Sequence, residues 1–212
     1  MSHYSHLILA FFTMTETFPN PRKRPRQARS VITFDIILEA AARILESDGF
    51  SGFNTNIVAD TAGVSIGSLY QYFPSKNALI VELIRRERDQ LYNSVLKIIE
   101  QNERLDLKTL LKMIIERAVF HQLSRPNLAL ILESASIFIG KDYEEESFQY
   151  KLEEILSNLL SKFQITDVLK TARDIIAISK GMINTAGMTG EFDVEDLQRR
   201  VERAIYGYLA LI

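Results

Sequence analysis

Between Gly63 and Pro74 the chain carries Ser65, Ser68, Tyr70, Gln71 and Tyr72, all able to donate or accept hydrogen bonds, and no Asp or Glu. A solvated helix usually carries Glu and Lys, whereas this short segment offers hydroxyls, an amide and the small Gly67 beside Ile66. Such a surface can approach an anion such as a phosphate without repelling it. Asn54, Thr55 and Asn56 lie just upstream and Lys76 just downstream, adding donors around the same segment. Residues 22–29, RKRPRQAR, form a basic run without an acid. Alone, that run reads as a solvated tail, and its position beside the polar segment raises the alternative of an arm for nucleic acid.

Other chemistries lack material. The chain has no cysteine, which removes disulfides, thiolate metal sites and cysteine nucleophiles, and suits a reducing cytoplasm. Two of its three histidines fall within the first six residues, so no metal site and no cofactor are expected. The acid runs Glu144-Glu145-Glu146 and Glu153-Glu154 look like a solvated helix start, with no base, metal ligand or phosphate loop beside them. No catalytic residue is assigned and an enzyme is not expected. A net charge of −2 means that binding to an anionic polymer must come from a local patch. The apolar stretch Leu7 to Met14 is eight residues long, too short to cross a bilayer. It also lacks a basic residue before it, and reads as an extension in which Met14 is a candidate start. No membrane partner is expected.

The elements that must hold the polar segment are helices. Phe34, Ile37, Leu38, Ala41, Ile44 and Leu45 follow the i, i+3, i+4 spacing of one helix face. Thr33 is the candidate cap, Asp35 a first-turn acid and Gly49 the end. A short helix fits Thr55 to Thr61 with Asn54 or Thr55 as its cap, Gly63 breaks the pattern, and Ser65 caps a third helix that Pro74 stops and Ser75 follows as the next cap. Longer helices follow at roughly 75–101, 106–123, 127–139, 144–163, 167–187 and 193–212. The fold class is all-α, and 47% hydrophobic content suffices for a buried core.

Two short helices joined by a tight turn, the second capped by serine, make a helix-turn-helix. Residues 33–80 resemble the DNA-binding domain of the tetracycline-repressor-like (TetR) family of transcriptional regulators. The resemblance is carried by ILEAAARIL (37–45), Gly49-Phe50, Val58-Ala59 and AGVSIGSLYQYFPSKNAL (62–79). It implies a recognition helix over Ser65 to Tyr72, with Ile66, Gly67, Ser68 and Gln71 toward base edges. Tyr70, Tyr72 and Lys76 would contact phosphates, as would Asn54, Thr55 and Asn56 at the start of the second helix. Relatives often place histidine where Tyr72 stands and a basic residue where Ile66 stands, and Arg22, Lys23, Arg24 and Arg26 can supply that charge as an arm in the minor groove. Tyr70 and Tyr72 also admit a plain reading, as half-buried aromatics with wet hydroxyls.

The resemblance further implies a division of the chain. Residues 1–29 would be a disordered extension with a basic arm, 30–80 the helix-turn-helix domain, and 81–212 a helical ligand-binding and dimerisation domain. Its small-molecule effector would sit among helices spanning 106–187, where His121, Glu133, Ser134, Ser136, Asn184 and Thr185 interrupt apolar runs. Of these, His121, Glu133 and Asn184 are the candidate ligand contacts. Residues 167–212 would pair two copies into a homodimer on a two-fold symmetric, double-stranded operator. The function implied is a cytoplasmic, homodimeric repressor released from its operator by the effector. The competing reading is a helical ligand-binding or scaffold protein that does not use its helix-turn-helix on DNA.

Overall fold

A computed structural model describes residues 28–139 and 143–211, with side chains of 29–136 and 147–211. Among the described residues every regular element is a helix: α1 (Ala28–Gly52), α2 (Thr55–Ala62), α3 (Ile66–Tyr72), α4 (Lys76–Gln101), α5 (Leu107–Ser124), α6 (Pro126–Ile139), α7 (Tyr143–Ser161), α8 (Val168–Thr189) and α9 (Val194–Tyr208). The residues through Arg86, with the stretch from Ile131, make one compact unit, and Glu87–Leu130 with the segment from Lys141 makes a second. The helix α4 belongs to the first through Arg86 and to the second from Glu87. The basic run before Ala28, the Leu7 to Met14 stretch, the turn at residues 140–142 and the side chains of Glu144, Glu145 and Glu146 lie outside the described residues.

In the first unit, α1 buries the face its spacing predicts, with Ile37, Ala41 and Leu45 fully covered. The helix begins earlier than the Thr33 cap signal suggests. Thr33 is within it and donates its hydroxyl back to the Arg29 carbonyl, at 3.1 Å, so Asp35 is not in the first turn. Nothing between Pro25 and Thr33 breaks a helix, and the hydroxyl serves an interior turn instead of a cap. At the far end Gly49 takes φ 64°, ψ −163°, a conformation open essentially to glycine. The regular helix ends there as expected, while one further turn carries Phe50 and Phe53 into the core.

The second unit has its own core, in which α5 packs on α8 and α9, and α8 on α7 and α9. Leu110 and Leu111, Leu160, Ala172, Val201 and Ile205 are among its most buried members. Asp106 caps α5 by accepting from Thr109 N at 3.0 Å, and Asp193 caps α9 by accepting from Asp196 N at 2.9 Å. The final helix stops at Tyr208, short of residue 212, because Ala210 turns left-handed at φ 53°. There Ala210 N donates to Gly207 O and Leu211 N to Tyr206 O, the double closure that seals a helix end. Among the described residues no helix is long and apolar enough to cross a membrane.

Candidate nucleic-acid interface

The turn between α2 and α3 is closed by local chemistry. Asn54 sits in extended backbone and accepts from Ile57 N at 3.0 Å, capping α2. At the other end Gly63 takes φ 66°, ψ 30°, its N–H returning to Asp60 O while Val64 N reaches Ala59 O. A residue with a Cβ would be strained there. Ser65 follows at once as the cap of α3, accepting from Ser68 N at 3.0 Å. Cap, helix, left-handed glycine and second cap thus occupy twelve consecutive residues, as the sequence predicts.

The third helix is oriented by what it buries. Leu69 and Phe73 are wholly covered, and Phe73 stacks on Phe34 of α1 at 4.7 Å between ring centres. The opposite face carries Ile66, Gly67, Tyr70 and Gln71, all exposed. At 100° per residue these four fall within one sector of the helix, and α3 contains no charged residue.

Not every predicted contact residue is equally placed. Ser65 and Ser68 are joined to each other, Oγ to Oγ at 2.8 Å, so they act as a pair at the start of the helix. Tyr72 is half-buried and meets Phe34 edge-on at 6.0 Å, so its ring is part of the packing against α1. Tyr70 is 41% exposed, and its phenol lies 3.1 Å from Thr55 Oγ1 across the turn. Asn56 is exposed on the first turn of α2. Lys76 is the first residue of α4, where the helix dipole disfavours a cation and an approaching anion would reverse that balance. Ser75 beside it caps α4, accepting from Ala78 N at 3.2 Å.

The candidate effector contacts are dispersed. His121 (α5) and Asn184 (α8) belong to the second unit, and Glu133 (α6) to the first. His121 Nε2 is shielded from solvent and lies 3.5 Å from Glu87 Oε2 without forming a hydrogen bond to it. Glu133 is half-buried, not enclosed, and Ser136 spends its hydroxyl on the Glu133 carbonyl at 2.8 Å. Ser134 and Asn184 are half-buried and Thr185 is exposed. The enclosed carboxylates are elsewhere, and sequence reasoning missed them. Glu153, expected to be solvated, is 8% exposed, held by Arg173 Nε at 2.9 Å and Gln149 Nε2 at 3.1 Å. Glu82, 5% exposed, is paired with Arg85 one turn along α4.

Residues 37–83 match the sequence profile of the tetR family of bacterial regulatory proteins. Over 51 residues, 24% of this chain and 23% of the relative, the chain is 43% identical to the HTH-type transcriptional repressor KstR of Mycobacterium tuberculosis. Over 152 residues, 71% of this chain and 69% of the relative, it is 28% identical to the nucleoid occlusion factor SlmA of Photorhabdus laumondii. Its fold matches that of the transcriptional regulator FadR of Bacillus subtilis, crystallised in complex with stearoyl-CoA. The TM-score is 0.63 at 20% identity, covering 81% of this chain and 97% of that one. The turn and both capped helices lie within residues 37–83, the stretch over which this chain is similar to the tetR family of bacterial regulatory proteins.

Proposed function

We propose that the protein is a homodimeric transcriptional repressor that binds double-stranded operator DNA through α3 and releases it when a small molecule occupies the second unit. One observation carries the reading: α3 seats Leu69 and Phe73 in the core and turns an exposed, charge-free face of Ile66, Gly67, Tyr70 and Gln71 outward. In this reading Gln71 pairs with a base edge and Ile66 touches a thymine methyl. Ser68 also faces the base edges, and Tyr70, Tyr72 and Lys76, with Asn54 and Asn56, set the register on the backbone. The protein acts in the cytoplasm, where its DNA is, and catalyses no reaction.

The dimer would form through residues 167–212. There Gly181 and Gly207 lie inside helices with open space where a Cβ would point, and Met188, Phe192 and Tyr208 are exposed. The effector would be met by His121, whose shielded Nε2 makes no hydrogen bond of its own and so offers one to a ligand, with Asn184 of the same unit as a further contact. By binding one conformation better than the other, the effector lowers operator affinity by that difference.

Fluorescence anisotropy on duplex from the region upstream of the protein's own gene, against random duplex at two salt concentrations, tests the reading. Binding that prefers the first duplex, weakens with salt and disappears in Tyr70→Ala supports it; equal, weak binding to both favours the scaffold reading. The match to a nucleoid occlusion factor favours a second reading, in which the same α3 face serves nucleoid occlusion. Binding sites that avoid promoters would select it.

A further inference from the structure

We infer that Thr55 is a positioning residue for Tyr70, orienting the phenol so that a single proton, that of Tyr70, is presented to a phosphate oxygen. The inference rests on the DNA-binding reading and refines it, because sequence alone assigns the two residues separate backbone contacts. Thr55 opens α2 and Tyr70 lies in α3, fifteen residues on, yet Thr55 Oγ1 and Tyr70 Oη are 3.1 Å apart.

Two hydroxyls at that distance share one hydrogen bond: one donates, the other accepts, and one proton remains to point outward. The phenol is the more acidic of the two, and its hydrogen bond to an anion is charge-assisted, about twice as strong as a neutral one. A phosphate therefore favours the arrangement in which Thr55 donates to the phenol oxygen and Tyr70 donates to the phosphate. The first bond polarises the second. It also fixes the exposed ring before DNA arrives, so less side-chain freedom is lost on binding. The frame on either side is firm: Leu69 and Val58 are fully buried, and Asn54 caps the turn of α2 that carries Thr55.

The test is a double-mutant cycle on operator binding by the full-length protein, using DNA fragments that the wild type enriches from the genome. Thr55→Val keeps the shape and removes the hydroxyl, and is expected to weaken binding about tenfold. Thr55→Ser restores the donor and should bind within about threefold of wild type. In a Tyr70→Phe background Thr55→Val should change affinity by less than about twofold, because Thr55 acts only through the phenol. Thermal unfolding of each variant monitors the fold. Costs that multiply in the double variant, or a Thr55→Val protein that binds as wild type, would overturn the inference. A wild type that enriches no fragment would instead overturn the DNA-binding reading beneath it, and that control is read before any variant.

Discussion

Gly67 stands where the fold makes no demand for glycine. A Cβ built on it would touch only Ser65 Oγ, at 3.8 Å, an ordinary contact, and glycine inside a helix costs about 1 kcal/mol relative to alanine. On the proposed reading its use lies outside the monomer, where an added methyl would meet the major groove. Gly67→Ala should raise the stability of the first unit by about 0.5–1 kcal/mol while weakening operator binding about tenfold. Thermal unfolding and anisotropy measure the two effects, and a stabilised variant with unchanged affinity would remove Gly67 from the interface. At this scale the caps were legible, because Asn54, Ser65 and Gly63 act on backbone within a few residues of themselves. The bond between Thr55 and Tyr70 was not, since it depends on how two helices cross. The same limit explains Glu153, which reads as half of an exposed acid pair until Arg173 of α8 covers it. Glu133 is half-buried, and an apolar run does not reveal which side of its helix is enclosed.

The helices divide into those that aim the site and those that hold the second core. Phe34 of α1 lies under the end of α3, stacked on Phe73 and touched by Tyr72. Replacing it by alanine should destabilise the first unit by about 3–5 kcal/mol, which denaturant unfolding would register, while Phe34→Leu should lose far less. In the second unit Tyr206 of α9 donates its hydroxyl to the Lys108 carbonyl of α5 at 3.1 Å. Burial first, then the nearby Glu202 and Asp106 carboxylates, push its pKa up to about 12. A raised phenol favours folding while it keeps its proton. That contribution is complete below pH 10, where the unfolded tyrosine is also neutral, and is lost as pH climbs from about 10 to 12. The unfolding temperature should fall over that interval, and fall less in Tyr206→Phe. Helix number and order were legible from apolar spacing, but two ends were not. Thr33 gives a cap signal within α1, and α9 is closed by Ala210 in a left-handed turn where glycine would have marked it.

For the whole molecule, the account requires two copies. Gly181 and Gly207 are open on their outer sides, and Met188 and Phe192 are 72% and 60% exposed, a surface that a second chain would cover by close helix approach. Gly181→Leu should leave the monomer folded and shift the protein from dimer toward monomer in sedimentation equilibrium at micromolar concentration. Operator affinity should fall with it. A monomeric wild type would remove the symmetry argument altogether. Fold class and reading head were visible in the sequence because they follow from local periodicity and turn chemistry. Effector contacts depend instead on which side chains distant helices bring together, and among the candidates His121 carries a shielded ring nitrogen without a hydrogen bond.

The central claim, that α3 reads DNA, is tested most directly by selecting fragments of the native genome with the purified protein and sequencing those retained. The account predicts an enriched, two-fold symmetric site whose half-sites lie about one helical turn, or a multiple of it, apart, and its loss with Tyr70→Ala. Retention of fragments no more often than chance would contradict it.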